Sequence, residues 1–164
     1  MAKLPRKTFS KFAASVGGDE WSPHGCQVAV MARSTCKILF LLTSASYDTP
    51  NCWTFPSVGV SAGESAQDAA SRALAKDCGY IDDRPRLEGY LRYHHPRGHV
   101  GLLTPLVVVP DQFNPHLLTS DFVDFQWCQA MDVIPDGPMT YALNEILDHP
   151  FTLDLMSRVI SRVR

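Results

Sequence analysis

The stretch GVSAGESAQDAASRALAKDCGY, Gly59 to Tyr80, restricts the folds open to this chain more than any other part of it. Ser65 is an N-cap residue with Asp68 three positions on, and Gly79 can take the left-handed conformation that ends a helix. Between them Ala66, Ala69, Ala70, Ala73, Leu74 and Cys78 recur at spacings of three and four, which makes one buried stripe. Most of that stripe is alanine, so the helix must approach its neighbour closely, and a sheet surface is the neighbour this implies. The helix also carries Arg72, Lys76 and Asp77, with Glu64 just ahead of it. That is the layout of a catalytic helix, but with one carboxylate near its end.

The flanking residues supply the sheet. CQVAVMAR (26–33) and CKILFLLTSAS (36–46) read as two strands joined by a tight turn at Ser34–Thr35. CWTFP (52–56) reads as a short extended piece. LEGYLRYHH and VGLLTPLVVVP form a hairpin around His95-Pro96-Arg97-Gly98, and DFVDFQWCQAM (121–131) is a further strand. A helix over Pro138 to Asp148 turns Met139, Ala142, Leu143, Ile146 and Leu147 inward, Pro150 breaks it, and an amphipathic helix runs from about Thr152 to the end. The order β-β-α-β-β-β-α predicts a mixed α/β sandwich in one domain over residues 19–164.

Composition bears on the class. With 45% apolar and 20% charged residues, 164 residues suffice for one domain with a real core. The run from Cys36 to Leu42 is too short to span a bilayer, and the start has no apolar signal core, so no membrane partner is expected. Cysteines 26, 36, 52, 78 and 128 contain no CxxC pair, which argues against a disulfide framework or zinc knuckle and for a reducing interior, cytoplasmic or another intracellular compartment. Of the net charge of −2, residues 1–18 contribute +4 and the remainder −6. That basic start is expected to be a disordered, frayed segment; organellar targeting and a nucleic-acid arm are the alternatives.

WTFPSVGVSAGESAQDAASRALAKDCGY resembles the Nudix family, whose box is written Gx5Ex7REUxEExGU, with U an aliphatic residue. Aligning Gly79 on the last glycine of the box places Glu64 on its first glutamate, Arg72 on its arginine and Leu74 on its aliphatic position, without gaps. Trp53, Pro56, Val60 and Gly63 match the family's lead-in, and DFVDFQW is similar to an acidic-then-tryptophan strand of many members. The resemblance implies an α/β/α sandwich with a mixed sheet. It also implies a loop–helix–loop that holds Mg2+ or Mn2+ against a diphosphate, with Glu64 and Arg72 bracing the loop.

The departures fall on the chemistry. Val58 stands at the opening glycine of the box, and its three glutamates after the arginine are Ala73, Lys76 and Asp77. On a helix those three positions share one patch. Diphosphate hydrolysis needs hard cations held by oxygen ligands, which neutralise the phosphates and activate a water. Ala73 has no ligand atom, and an ammonium at Lys76 repels a divalent ion by several kcal/mol at an effective dielectric of about 20. The resemblance therefore implies a catalytically impaired protein that binds a nucleotide-like ligand, RNA or a protein partner, with no metal required. The alternative is a Mg2+-dependent pyrophosphohydrolase using Asp77 and Glu64 for catalysis, with Asp77, Asp121 and Asp124 as metal ligands and Glu145, Glu88 and Asp68 in reserve. A third reading is a structural subunit of a larger assembly; a homodimer is expected by analogy with family members. Lys76, Arg97 and Trp53 are the candidate ligand-binding residues. In HHPRGH, Arg97 suits a phosphate and His94, His95 and His99 a soft metal, although turn chemistry alone explains Pro96 and Gly98.

Overall fold

A computed structural model describes residues 8–10, 24–95, 100–130, 135–148 and 150–163. Among these, the elements in chain order are β1 (Thr8–Ser10), β2 (Gly25–Gln27), β3 (Ala29–Ala32), β4 (Lys37–Thr43), β5 (Trp53–Thr54), β6 (Ser57–Gly59), α1 (Ala66–Cys78), β7 (Arg86–His95), β8 (Val100–Val109), β9 (Phe122–Gln129), α2 (Tyr141–Leu147) and α3 (Pro150–Val163). The main path through the sheet is β1-β7-β8-β3-β4-β5, with β2 between β8 and β6, and β9 alongside β4. β8 runs parallel to β2 and β3, and the other pairs are antiparallel. The sheet is mixed, as the element order predicted.

Alternation along the central strands sorts the core into two layers. Val28, Val30, Leu39, Leu41, Leu103 and Val107 face α1, where Ala66, Ala69, Ala70, Ala73 and Leu74 are each 0% exposed. Met31, Ile38, Phe40, Leu106 and Val108 face the other way, onto Leu143 and Ile146 of α2 and Met156 and Val159 of α3. Small residues bring α1 close to the sheet, while larger ones fill the space under α2 and α3. The result is an α/β/α sandwich. Among the described residues no helix is long and apolar enough to cross a membrane.

Four details differ from the sequence reading, each for a local reason. CQVAVMAR is two strands, because Val28 sends its N–H to the carbonyl of Pro56 (2.8 Å) and the strand changes partner there from β6 to β4. The register that sets Cys26 against Leu103 and Ala29 against Leu106 places Val28 beside Pro105, which has no N–H to offer. The turn into β4 is wider than Ser34–Thr35: Cys36 takes φ 56° and donates to the Ala32 carbonyl. Residues 138–140 are extended, since Trp53 donates to the Pro138 carbonyl and Thr140 to that of Trp53, so α2 begins only at Tyr141. Pro150 opens α3, a position where its missing N–H costs nothing. In addition, Thr8–Ser10, within the start expected to be frayed, lies antiparallel to β7 as an edge strand.

Candidate functional site

The site is built around α1, and the local sequence explains how that helix is held. Ser65 Oγ accepts from the Asp68 N–H at 3.0 Å, and Gly79 sits at φ 63° with its N–H on the Ala75 carbonyl. A Cβ on Gly79 would meet His116 Cβ at 3.0 Å, so glycine is required there both by conformation and by space. Beyond the cap, His116 donates its N–H to the Cys78 carbonyl, and Tyr80 stacks on Phe113 with ring centroids 4.4 Å apart.

The front of the loop is clamped to the helix by charge. Arg72 donates from Nε to Glu64 Oε2 at 2.6 Å and from Nη2 to Oε1 at 2.7 Å, and Nη2 also reaches the Gly59 carbonyl at 2.6 Å. The Ser61 N–H supplies one more donor to Glu64 Oε1. The Arg72 hydrogen bonds hold the Glu64 carboxyl below the usual range, outweighing the opposing effect of burial, and the same pair raises Arg72. Glu64 is thus tied on both oxygens. Its geometry is that of a brace between residues 59–64 and α1.

The rear of the helix is different. Asp77 is 0% exposed; its Oδ2 accepts the Ser57 N–H at 2.7 Å, while Oδ1 has no hydrogen-bond partner. Among the described residues β6 pairs with β2 alone, so Asp77 caps an N–H that this edge strand leaves without a sheet partner. Lys76 Nζ lies 3.6 Å from Oδ1, close enough to pair electrostatically but too far for a hydrogen bond. Burial pushes the Asp77 carboxyl up; the Ser57 N–H and Lys76 oppose that, and the nearby charge of Asp121 adds to it. Ala73 is packed in the core with no exposed surface, and the Lys76 side chain is half exposed.

The structure therefore brings Asp77 and Lys76 together, with the charge of Asp121 felt at Asp77, and sets the other described candidates apart from them. Asp124 is exposed on β9 and accepts from the N–H of Phe125. Trp53 belongs to the opposite face: it is 7% exposed and its Nε1 donates to the Asp136 carbonyl at 2.9 Å, so its ring is core and not open to a ligand. Glu88 is held by Arg86 (2.7 Å) and Arg162 (3.0 Å), which docks α3 against β7. Asp68 is an exposed residue in the first turn of α1. Arg97 and His99 lie outside the described residues, as do the side chains of His94, His95 and Glu145. Leu74 is fully buried in the α1-side core.

The sequence did not reveal the part played by Ser57. A backbone N–H leaves no trace in residue type, and only the pairing of β6 with β2 alone shows that it needs an acceptor. The burial of Asp77 was also hidden, because a polar residue in a helix reads as solvated by default.

This donor set does not fit a divalent metal. A hard cation asks for several oxygens, yet among the described residues no three of His, Cys, Asp or Glu come together. One oxygen of Asp77 is spent on Ser57, and the other faces an ammonium.

An α/β/α sandwich whose loop–helix–loop is locked by a glutamate–arginine pair is the arrangement that the box resemblance implied. The chain belongs to the Nudix family: the NUDIX domain matches residues 24–149. No curated protein matches it in sequence. In fold it is similar to a C. elegans Ap4A hydrolase in a binary complex, with TM-score 0.59 and 15% identity over 85% of this chain and 97% of that one. It is similar also to a MutT NUDIX hydrolase from Burkholderia pseudomallei (TM-score 0.58, 20% identity, 79% and 99% covered). A third is the NUDIX domain of Shewanella oneidensis NrtR complexed with ADP ribose (0.53, 12%, 89% and 91%).

Proposed function

We propose that this Nudix protein binds a nucleotide-like ligand and does not hydrolyse it efficiently. The observation that carries this reading is the surroundings of Asp77: the one box carboxylate left after Arg72 is buried, half committed to Ser57 and faced by Lys76. The frame of the box persists beside it in the Glu64–Arg72 clamp and the Gly79 cap. A frame without its metal donors favours recognition over chemistry, and a NUDIX domain similar in fold holds ADP ribose. An RNA end or a protein partner would use the same surface beside α1.

A second reading keeps the family's hydrolysis, using Asp77 and Asp121 as ligands for Mg2+ or Mn2+. The charge of Asp121, which helps to push the Asp77 carboxyl up, favours it. The test is a panel of ADP-ribose, dinucleotide polyphosphates, sugar nucleotides and capped RNA, scored for binding by calorimetry and for phosphate release with each metal. Binding without turnover is expected. Metal-dependent phosphate release that vanishes in Asp77→Ala sinks the proposal in favour of the second reading.

A further inference from the structure

We propose that the ammonium of Lys76 takes the place of the metal, so that the surface of α1 around Lys76 holds the diphosphate of its ligand without a divalent ion. The inference rests on the nucleotide-binding reading and adds to it the group that carries the charge. Three observations lead here. Asp77 offers an unpartnered, fully buried Oδ1, which asks for a cation. Asp121 adds a second negative charge nearby. Among the described residues, the cation within reach is Lys76 Nζ, 3.6 Å away on a half-exposed side chain.

Geometry gives that ammonium two faces. One is oriented by the buried carboxylate; with the Lys76 side chain 48% exposed, the other remains available to solvent and to an anionic ligand. Lysine has three donors on a compact charge, enough to engage Asp77 and phosphate oxygens at the same time. Arg72 cannot take this part, because its Nε and Nη2 are committed to Glu64 and Gly59. Ala73 cannot hold a metal. The Asp77 carboxylate and the Lys76 ammonium thus form one ion pair, in which the ammonium stands where a divalent ion stands elsewhere in the family.

The test has two independent arms on the full chain. Manganese binding, read by electron paramagnetic resonance, is expected to be absent from the wild type and to appear in Lys76→Glu; that position is solvent-exposed, and thermal melts would verify folding. ADP-ribose binding, read by calorimetry, is expected to be equal in EDTA and in Mg2+ for the wild type. Lys76→Gln should weaken it by about tenfold to a hundredfold, the loss of a charge-assisted hydrogen bond. Stoichiometric Mn2+ binding by the wild type overturns the inference. ADP-ribose binding that requires Mg2+ also overturns it, yet leaves the nucleotide-binding reading standing. Unchanged affinity in Lys76→Gln has the same meaning. If ADP-ribose binds under neither condition, both proposals fall.

Discussion

The two ends of the box helix differ in how they treat a carboxylate. At the front, Glu64 receives three hydrogen bonds, two of them from one guanidinium, and its proton affinity falls. At the rear, Asp77 receives one, keeps an unpartnered oxygen, and its proton affinity rises. Both are acids of the same motif within a few turns of each other. The first has been built into the scaffold. The second is buried with one oxygen that, among the described residues, has no hydrogen bond and only the Lys76 ammonium, 3.6 Å away, to balance it.

Substitutions can break this contrast, the largest effect first. Ala73→Glu restores a box residue but buries a carboxylate in a fully enclosed part of the α1-side core. It should cost at least about 3 kcal/mol in denaturant unfolding. A neutral result would mean that residue 73 can open to solvent and that the rear of the helix is not closed. Arg72→Ala strips Glu64 of its two strongest donors and should cost about 1–2 kcal/mol, discounted because Arg72 is half exposed. Arg72→Lys should recover only part of this, since a lysine cannot make the paired contact.

Acid–base behaviour sharpens the contrast further. Asp77 binds protons more tightly folded than unfolded, so stability falls as pH rises from the ordinary aspartate range through its higher folded value. Glu64 has the opposite sign: its contribution is present above the ordinary glutamate range and is lost as pH falls through its lower folded value. Thermal melts across pH should therefore show Asp77→Asn removing the loss toward neutrality, by on the order of 1 kcal/mol. Glu64→Gln should remove the loss on the acid side. If the two variants shift the profile in the same direction, the contrast fails. The smallest effect is expected away from the box. Trp53→Phe loses the hydrogen bond to the Asp136 carbonyl, about 1 kcal/mol of stability, and should leave ADP-ribose affinity unchanged. A fall in affinity would bring Trp53 back as a ligand contact.

Much of the frame was legible in order along the chain. The α1 stripe, its Ser65 cap and its Gly79 stop follow from local rules, because caps and helical spacing depend on near neighbours. The existence and order of the main strands were legible too, although which of their residues face which layer came only with the structure. Less was legible where a contact joins distant segments. The break at Val28, the strand Ser57–Gly59 and the late start of α2 all depend on a partner far along the chain.

The division has a physical basis. Residue type and spacing determined that a capped, alanine-faced helix packs on a sheet, and the resemblance of the same stretch to the Nudix box implied a Glu64–Arg72 brace and the loss of metal donors at Ala73 and Lys76. Only the tertiary structure decided what became of the acid that remained. Whether Asp77 is solvated or buried, and whether Lys76 reaches it, depends on an edge strand twenty residues earlier and on Asp121 more than forty later. Burial and charge are properties of the assembled surroundings, and no local pattern encodes them.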